Sequence, residues 1–244
     1  MGIGDWGLEG ATSGRGFVML DDNAQSDVSS EAFRNPAIVL LGPTGSGKTP
    51  VGDLLGQRGL WGAGCLHFDF GANLRRIASR NRPDEQITRA DIEFLREVLD
   101  RSALLEDEQF PLAERILKSF LVERGAEEQT LIILNGLPRH VGQADALDAM
   151  ADVNAVVLLQ CSTGVVLARI GANVGGDRTG REDDHAHAIR QKLEVFSRRT
   201  APLVDHYRAR EVPIETIEVT AAMSAAEMWR ILDGIAGFRK SNLV

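Results

Sequence analysis

Two cysteines in 244 residues, Cys65 and Cys161, are too few and too isolated for a disulfide framework or a thiolate metal site. No C-x-x-C pair occurs. Each cysteine borders an apolar, strand-like run, which predicts reduced, buried and inert thiols in a cytoplasmic protein. Long apolar runs are missing as well: none approaches the roughly 20 residues a membrane helix needs. The first residues lack the basic-then-apolar order of a secretory leader. Positive charge is also short. With 27 Lys+Arg against 35 Asp+Glu the chain carries −8, which argues against a general nucleic-acid binder. There is no internal repeat. What is left is ordinary globular composition, 43% hydrophobic and 25% charged, at a length suited to one large α/β domain with small inserts.

Against that background one stretch stands out: Gly42, Pro43, Thr44, Gly45, Ser46, Gly47, Lys48 and Thr49, which fit G-x-x-x-x-G-K-[ST]. Ala37 to Leu41 before it is a short apolar run between Pro36 and Gly42, so it predicts a buried strand. Val51, Leu54 and Leu55 after it have helical spacing. Between a strand and a helix, such a loop aims its backbone N–H groups at phosphates, and the helix N-terminus adds partial positive charge. Lys48 then reaches the β- and γ-phosphates, and the Thr49 hydroxyl is placed for Mg²⁺.

Along the rest of the chain, apolar runs at 65–68, 130–134, 155–160 and 214–219 predict strands. Helical spacing predicts helices from Asp69, from Asp91, over 110–121, 143–150 and 165–170, from His185 through Tyr207, and over 225–235. Strands alternating with helices predict a parallel sheet with helices on both faces, and ligands at the carboxyl ends of its strands. Residues 1–35 are rich in Gly, Ser, Asp and Asn, with little periodicity. Two readings stay open for them: a disordered extension, or an artefact of a start upstream of Met19. His185 and His187 have no third ligand nearby, so they predict exposed histidines rather than a metal site.

Four segments in order resemble the adenylate kinase family of nucleoside monophosphate kinases, and together they cover roughly residues 36–240. They are the phosphate loop; His67 to Arg75 with Gly71, Leu74 and Arg75; Leu134-Asn135-Gly136-Leu137-Pro138-Arg139 with Gln143-Ala144; and Arg181 to Asp184, continuing through Lys192 to Phe196 and Thr200 to Leu203. The resemblance implies a P-loop kinase domain with a monophosphate-binding insert near 67–100 and a short lid near 171–182. It implies transfer of a phosphoryl group from Mg·ATP to AMP by a cytoplasmic monomer with no zinc. By the same resemblance Lys48 steadies the donor phosphates. Arg75 and Arg139 hold the acceptor's α-phosphate, while Gln143 reads its base. Arg169, Arg178 and Arg181 close over the transferred group. Gly71, Gly136 and the backbone of Ser102 to Leu105, including Leu104 and Leu105, line the acceptor pocket.

The chain departs from the family at several places. Asn135 and Ala72 stand where the family has aspartates that order water around Mg²⁺, so Thr49 and Asp69 are the expected metal-side groups. Phe70 replaces a small residue, and its ring is expected to stack on the acceptor base, which opens the alternative of CMP, UMP or a deoxy form. Lys192 replaces an arginine, keeping the charge but losing the two-pronged grip on phosphate. Arg178 is expected to stand in for an arginine that is Asn173 here. These losses motivate a rival reading, a nucleotide-binding module with little turnover. A P-loop NTPase acting on another substrate fits the Gly-Leu-Pro-Arg and Gln143 segment less well.

Overall fold

The computed structural model describes residues 34–177 and 186–235. Five strands, β1 (Asn35–Leu41), β2 (Cys65–Asp69), β3 (Leu131–Asn135), β4 (Ala151–Gln160) and β5 (Ile214–Glu218), form one sheet in the order β2-β3-β1-β4-β5. Every pairing is parallel. Parallel neighbours need crossovers, and helices supply them. These are α1 (Lys48–Arg58), α2 (Phe70–Ala78), α3 (Arg89–Asp100), α4 (Phe110–Glu123), α5 (Val141–Leu147), α6 (Thr163–Ala172), α7 (Ala186–Val195), α8 (Leu203–Ala209) and α9 (Ala225–Gly234).

Alternation along β1 divides the core into two layers. Ala37, Val39 and Leu41 face a cluster with Phe68, Leu95, Phe120 and Tyr207. Ile38 and Leu40 face a second cluster with Val51, Leu55, Met228 and Leu232 of α1 and α9. Because both faces are covered, the strands read as continuous apolar runs, which is why they are legible in the sequence.

Most boundaries shift by one to three residues, as with the helix expected over 143–150, which is Val141–Leu147; three differences have a clear physical cause. β1 starts at Asn35 rather than after it, since the buried Asn35 amide donates to the Glu127 carbonyl at 2.6 Å. β4 begins at Ala151, four residues earlier than its apolar run. Asp152 and Asn154 hid this part, where the register shifts opposite Ala37 and Ile38. The helix expected from His185 to Tyr207 is three pieces, α7, a π turn at Phe196–Thr200, and α8. Pro202 has no N–H to continue the ladder, and the Ala201 N–H reaches back five residues to the Phe196 carbonyl at 2.8 Å. The extension reading for residues 1–35 otherwise lies outside the described residues, as does His185. His187 is exposed.

Tyr207 is 1% exposed, and its hydroxyl has no hydrogen-bond partner among the described residues. Burial pushes its pKa up, so the folded protein resists its ionisation. The corresponding stability is whole below the unfolded tyrosine pKa of about 10 and is lost as pH rises above it. Tyr207→Phe is therefore expected to stabilise the neutral protein by about 1 kcal/mol, the cost of burying an unpaired hydroxyl. It should also flatten the alkaline loss, as read by thermal melts between about pH 8 and 11. A less stable variant would show that the hydroxyl is paired.

Candidate active site

The phosphate loop connects β1 to α1 at the carboxyl edge of the sheet. Gly42 has φ 149, and a Cβ there would lie 2.7 Å from the Leu159 carbonyl oxygen, so glycine is required. Gly47, the α1 N-cap, has φ 103 and no side chain to bond the first-turn N–H groups. Those donors stay available for an anion. The Lys48 ammonium donates to the Gly42 and Pro43 carbonyls at 2.6 and 2.8 Å, holding it over the loop.

The register of the sheet builds the centre of the site. Asp69 at the end of β2 pairs with Asn135 at the end of β3, and Asn135 also pairs with Leu40 of β1. Asp69 uses its two oxygens separately. One accepts the Ala72 N–H at 2.8 Å and caps α2. The other accepts the Thr49 hydroxyl at 2.5 Å and the Asn135 amide at 2.9 Å. The Asn135 amide also donates to the Thr49 oxygen at 3.1 Å. Thr49, Asp69 and Asn135, from three elements, therefore meet in one knot.

Arg139 follows β3. Its N–H donates to the Gln143 side-chain oxygen at 2.8 Å, and its carbonyl accepts the Thr200 hydroxyl at 2.8 Å. α5 and the π turn thus clamp its backbone from two sides. Burial pushes the guanidinium pKa down and the Asp69 carboxylate pushes it back up; it remains a cation. Its Nη1 lies 3.9 Å from where a Gly136 Cβ would be, and Arg75 Nη1 lies 3.4 Å from where a Gly71 Cβ would be. Both forks gather where α2 starts beside the β3 exit.

One cavity joins these parts. The phosphate loop with Lys48 and Thr49, the Asp69–Asn135 pair, and the cations Arg75, Arg139 and Lys192 all line it. Leu74, Val98, Leu99 and Leu104 add an apolar wall. Phe196, Thr200 and Asp177 also line it, and sequence reasoning missed them; only the Thr200-Ala201-Pro202 match hinted at Thr200.

Several expected site residues lie elsewhere. The Phe70 ring is in the core, 3% exposed, with its centroid 6.0 Å from that of Phe68. It is not on the cavity wall, because an apolar ring at a helix start gains more by burial than by exposure. Leu105 is also core, and its carbonyl accepts from His140 Nε2 at 3.0 Å and Gln143 Nε2 at 2.9 Å. Gln143 is fully buried, and both ends of its amide are engaged within the protein, so it holds Arg139 and Leu105 in place rather than facing the cavity. Arg169 reaches the cavity, but three of its N–H donors go to carbonyls: Gly45 at 3.1 Å, Thr220 at 2.8 Å and Met223 at 2.7 Å. It ties the phosphate loop to the segment before α9. Cys161 is half-buried rather than buried, since it lies just past the end of β4 at the carboxyl edge. Burial still raises its pKa despite Lys48 and Arg169, and burial pushes the Cys65 thiol up to about 11. Arg178 and Arg181 lie outside the described residues.

A parallel sheet in this order, with an uncapped glycine loop and the cations Arg75, Arg139 and Lys192 lining one cavity, defines a P-loop kinase fold. A family profile described as an AAA domain matches residues 38–190. The adenylate kinase of Stenotrophomonas maltophilia (strain R551-3) is 34% identical over 179 residues, covering 71% of this chain and 86% of its own. That of Synechococcus sp. (strain CC9311) is 31% identical over 193 residues, 77% of this chain and 92% of its own. That of Thermus thermophilus is 30% identical over 183 residues, 72% and 85%. The chain belongs to the adenylate kinase family and is a nucleoside monophosphate kinase.

Proposed function

We propose that the protein catalyses Mg·ATP + AMP ⇌ 2 ADP by direct in-line transfer, with no covalent enzyme intermediate. One cavity lined both by the phosphate loop and by Arg75 and Arg139 carries this reading. Phosphoryl transfer leaves a protein little covalent work; it asks for positioning and charge neutralisation. The loop N–H groups and Lys48 hold the donor phosphates. Arg75 and Arg139 grip the acceptor's α-phosphate, each fork able to make two hydrogen bonds to it. Lys192, and by resemblance Arg178 and Arg181, add positive charge over the group in transit. Gly171, Gly175 and Gly176 are the hinges proposed for a lid whose closure excludes water and suppresses ATP hydrolysis.

The oxygens of the central knot suit a hard cation: the Thr49 hydroxyl and the Asp69 carboxylate lie within reach of each other, and the Asn135 amide nitrogen donates to both. Thr49 and Asp69 would hold Mg²⁺ there, with Asn135 keeping Asp69 in place. When bound with ATP, the ion supplies charge neutralisation on the β- and γ-phosphates.

The assay that tests the reading incubates the purified protein with Mg·ATP and each nucleoside monophosphate in turn and follows diphosphate formation. Selective turnover of AMP is expected. Because the Phe70 ring is in the core, it no longer favours another acceptor; the engaged Gln143 amide is the remaining reason to try CMP, UMP and deoxy forms. Preference for one of these would move the acceptor assignment. ATP binding with no turnover would favour the binding-module reading. The same proposal has the enzyme acting as a cytoplasmic monomer on small nucleotides. Among the described residues no helix is long and apolar enough to cross a membrane.

A further inference from the structure

We propose that the Ser102 hydroxyl is a specificity-determining group of the acceptor pocket, offered to the polar edge of the nucleobase. This rests on the reading of the cavity above as the acceptor site. The chain supplies its own control. Helix α3 ends in Arg101-Ser102-Ala103, and α4 ends in Arg124-Gly125-Ala126. The two ends have the same backbone. Ser102 has φ 49 and Gly125 φ 62. The Ser102 N–H bonds the Leu99 carbonyl at 3.0 Å and the Ala103 N–H the Val98 carbonyl at 3.0 Å. The Gly125 and Ala126 N–H groups bond Val122 and Leu121 at 3.1 and 2.9 Å in the same pattern. This cap favours glycine, because any side chain in the left-handed region is strained.

Glycine occupies the position where it faces open space, at Gly125. Serine occupies the equivalent position where it lines the cavity. Leu74, Val98, Leu99, Ala103 and Leu104 supply apolar lining to the same cavity. Gln143, the amide expected to read the base, is engaged by Leu105 and Arg139. Among the described residues no hydrogen bond of the Ser102 hydroxyl competes with a ligand. A hydroxyl can accept from an exocyclic amine, and a site built to bond a polar group discriminates against the analogue that lacks it. The left-handed strain at Ser102 is thus retained for a side chain that only the ligand uses.

The test compares AMP with purine riboside 5′-monophosphate, which lacks the 6-amino group, in the wild type, Ser102→Ala and Ser102→Gly. Wild-type turnover of AMP checks the acceptor reading separately from the variants. If that reading holds, Ser102→Ala should lower the AMP-to-analogue ratio of kcat/KM about fivefold through KM, with kcat unchanged, the loss of one hydrogen bond. Ser102→Gly should lose the same discrimination while its Tm rises by about 2–4 °C, since the strain is relieved. Unchanged selectivity in either variant overturns the proposal. So does a loss of kcat and Tm together in Ser102→Ala, which would make the residue structural.

Discussion

Replacing Lys48 by methionine is expected to lower kcat by about 10³-fold, the upper range for removing one group that stabilises charge in a transition state. Methionine keeps the length of the stem and much of its packing but removes the ammonium. That ammonium bonds the carbonyls of Gly42 and Pro43, two residues of the phosphate loop. The variant therefore loses both a tie across the loop and a charge on the donor. The loop's shape should survive, since Gly42 and Gly47 hold it by their own backbone and Arg169 anchors Gly45 from the far side. Melting should change by a few degrees while steady-state turnover collapses. Lys48→Arg should not restore the rate, because a wider planar fork does not fit where a compact ammonium sits. Turnover within threefold of wild type would place the donor phosphates away from this loop.

The second large effect is expected at Asp69. Asp69→Asn keeps the shape and keeps an N-cap, because asparagine caps helices about as well as aspartate. α2 should stay folded, with the Ala72 N–H still bonded. The other oxygen is the one that fails. It accepts from both the Thr49 hydroxyl and the Asn135 amide. An amide nitrogen placed there turns an acceptor into a donor facing the Asn135 amide nitrogen, the Thr49 hydroxyl must turn round to accept, and the knot loosens. The carboxylate charge beside Arg139 goes as well. Turnover should fall about 10–100-fold, the range seen when metal-supporting groups are removed. The half-saturating Mg²⁺ concentration should rise. Direct titration of Mg²⁺ against the ATP-bound protein gives a readout independent of rate. Thr49→Ala should show a smaller loss concentrated at limiting Mg²⁺. Wild-type rates for Asp69→Asn across the whole Mg²⁺ titration would falsify the metal assignment.

Much of this was legible in the chain. The run Ala37 to Leu41, the glycines of the loop and Lys48 are local features with a local physical meaning, and they appear where their spacing predicts. Asp69 was legible at a strand end, but not that it shares one oxygen with Asn135. That follows from the β2–β3 register, which no local pattern encodes. Asn135 read as a lost acid, whereas in the fold its amide is the strut that orients the acid beside it. Ser102 was legible only as backbone in the pocket; its strained cap shows in the φ angle, and its meaning in the comparison with Gly125.

Strand–helix alternation, the parallel sheet, the phosphate loop and the family could all be read from the chain, because each rests on short-range periodicity or on contiguous motifs. Only folding settled which polar side chains already have partners within the protein. Gln143 is engaged by Leu105, 38 residues away, and Arg169 by Thr220 and Met223, 51 and 54 residues away. A buried donor must find an acceptor or bear the cost of desolvation. Where that acceptor is a distant carbonyl, only the folded chain can reveal that the side chain is already engaged.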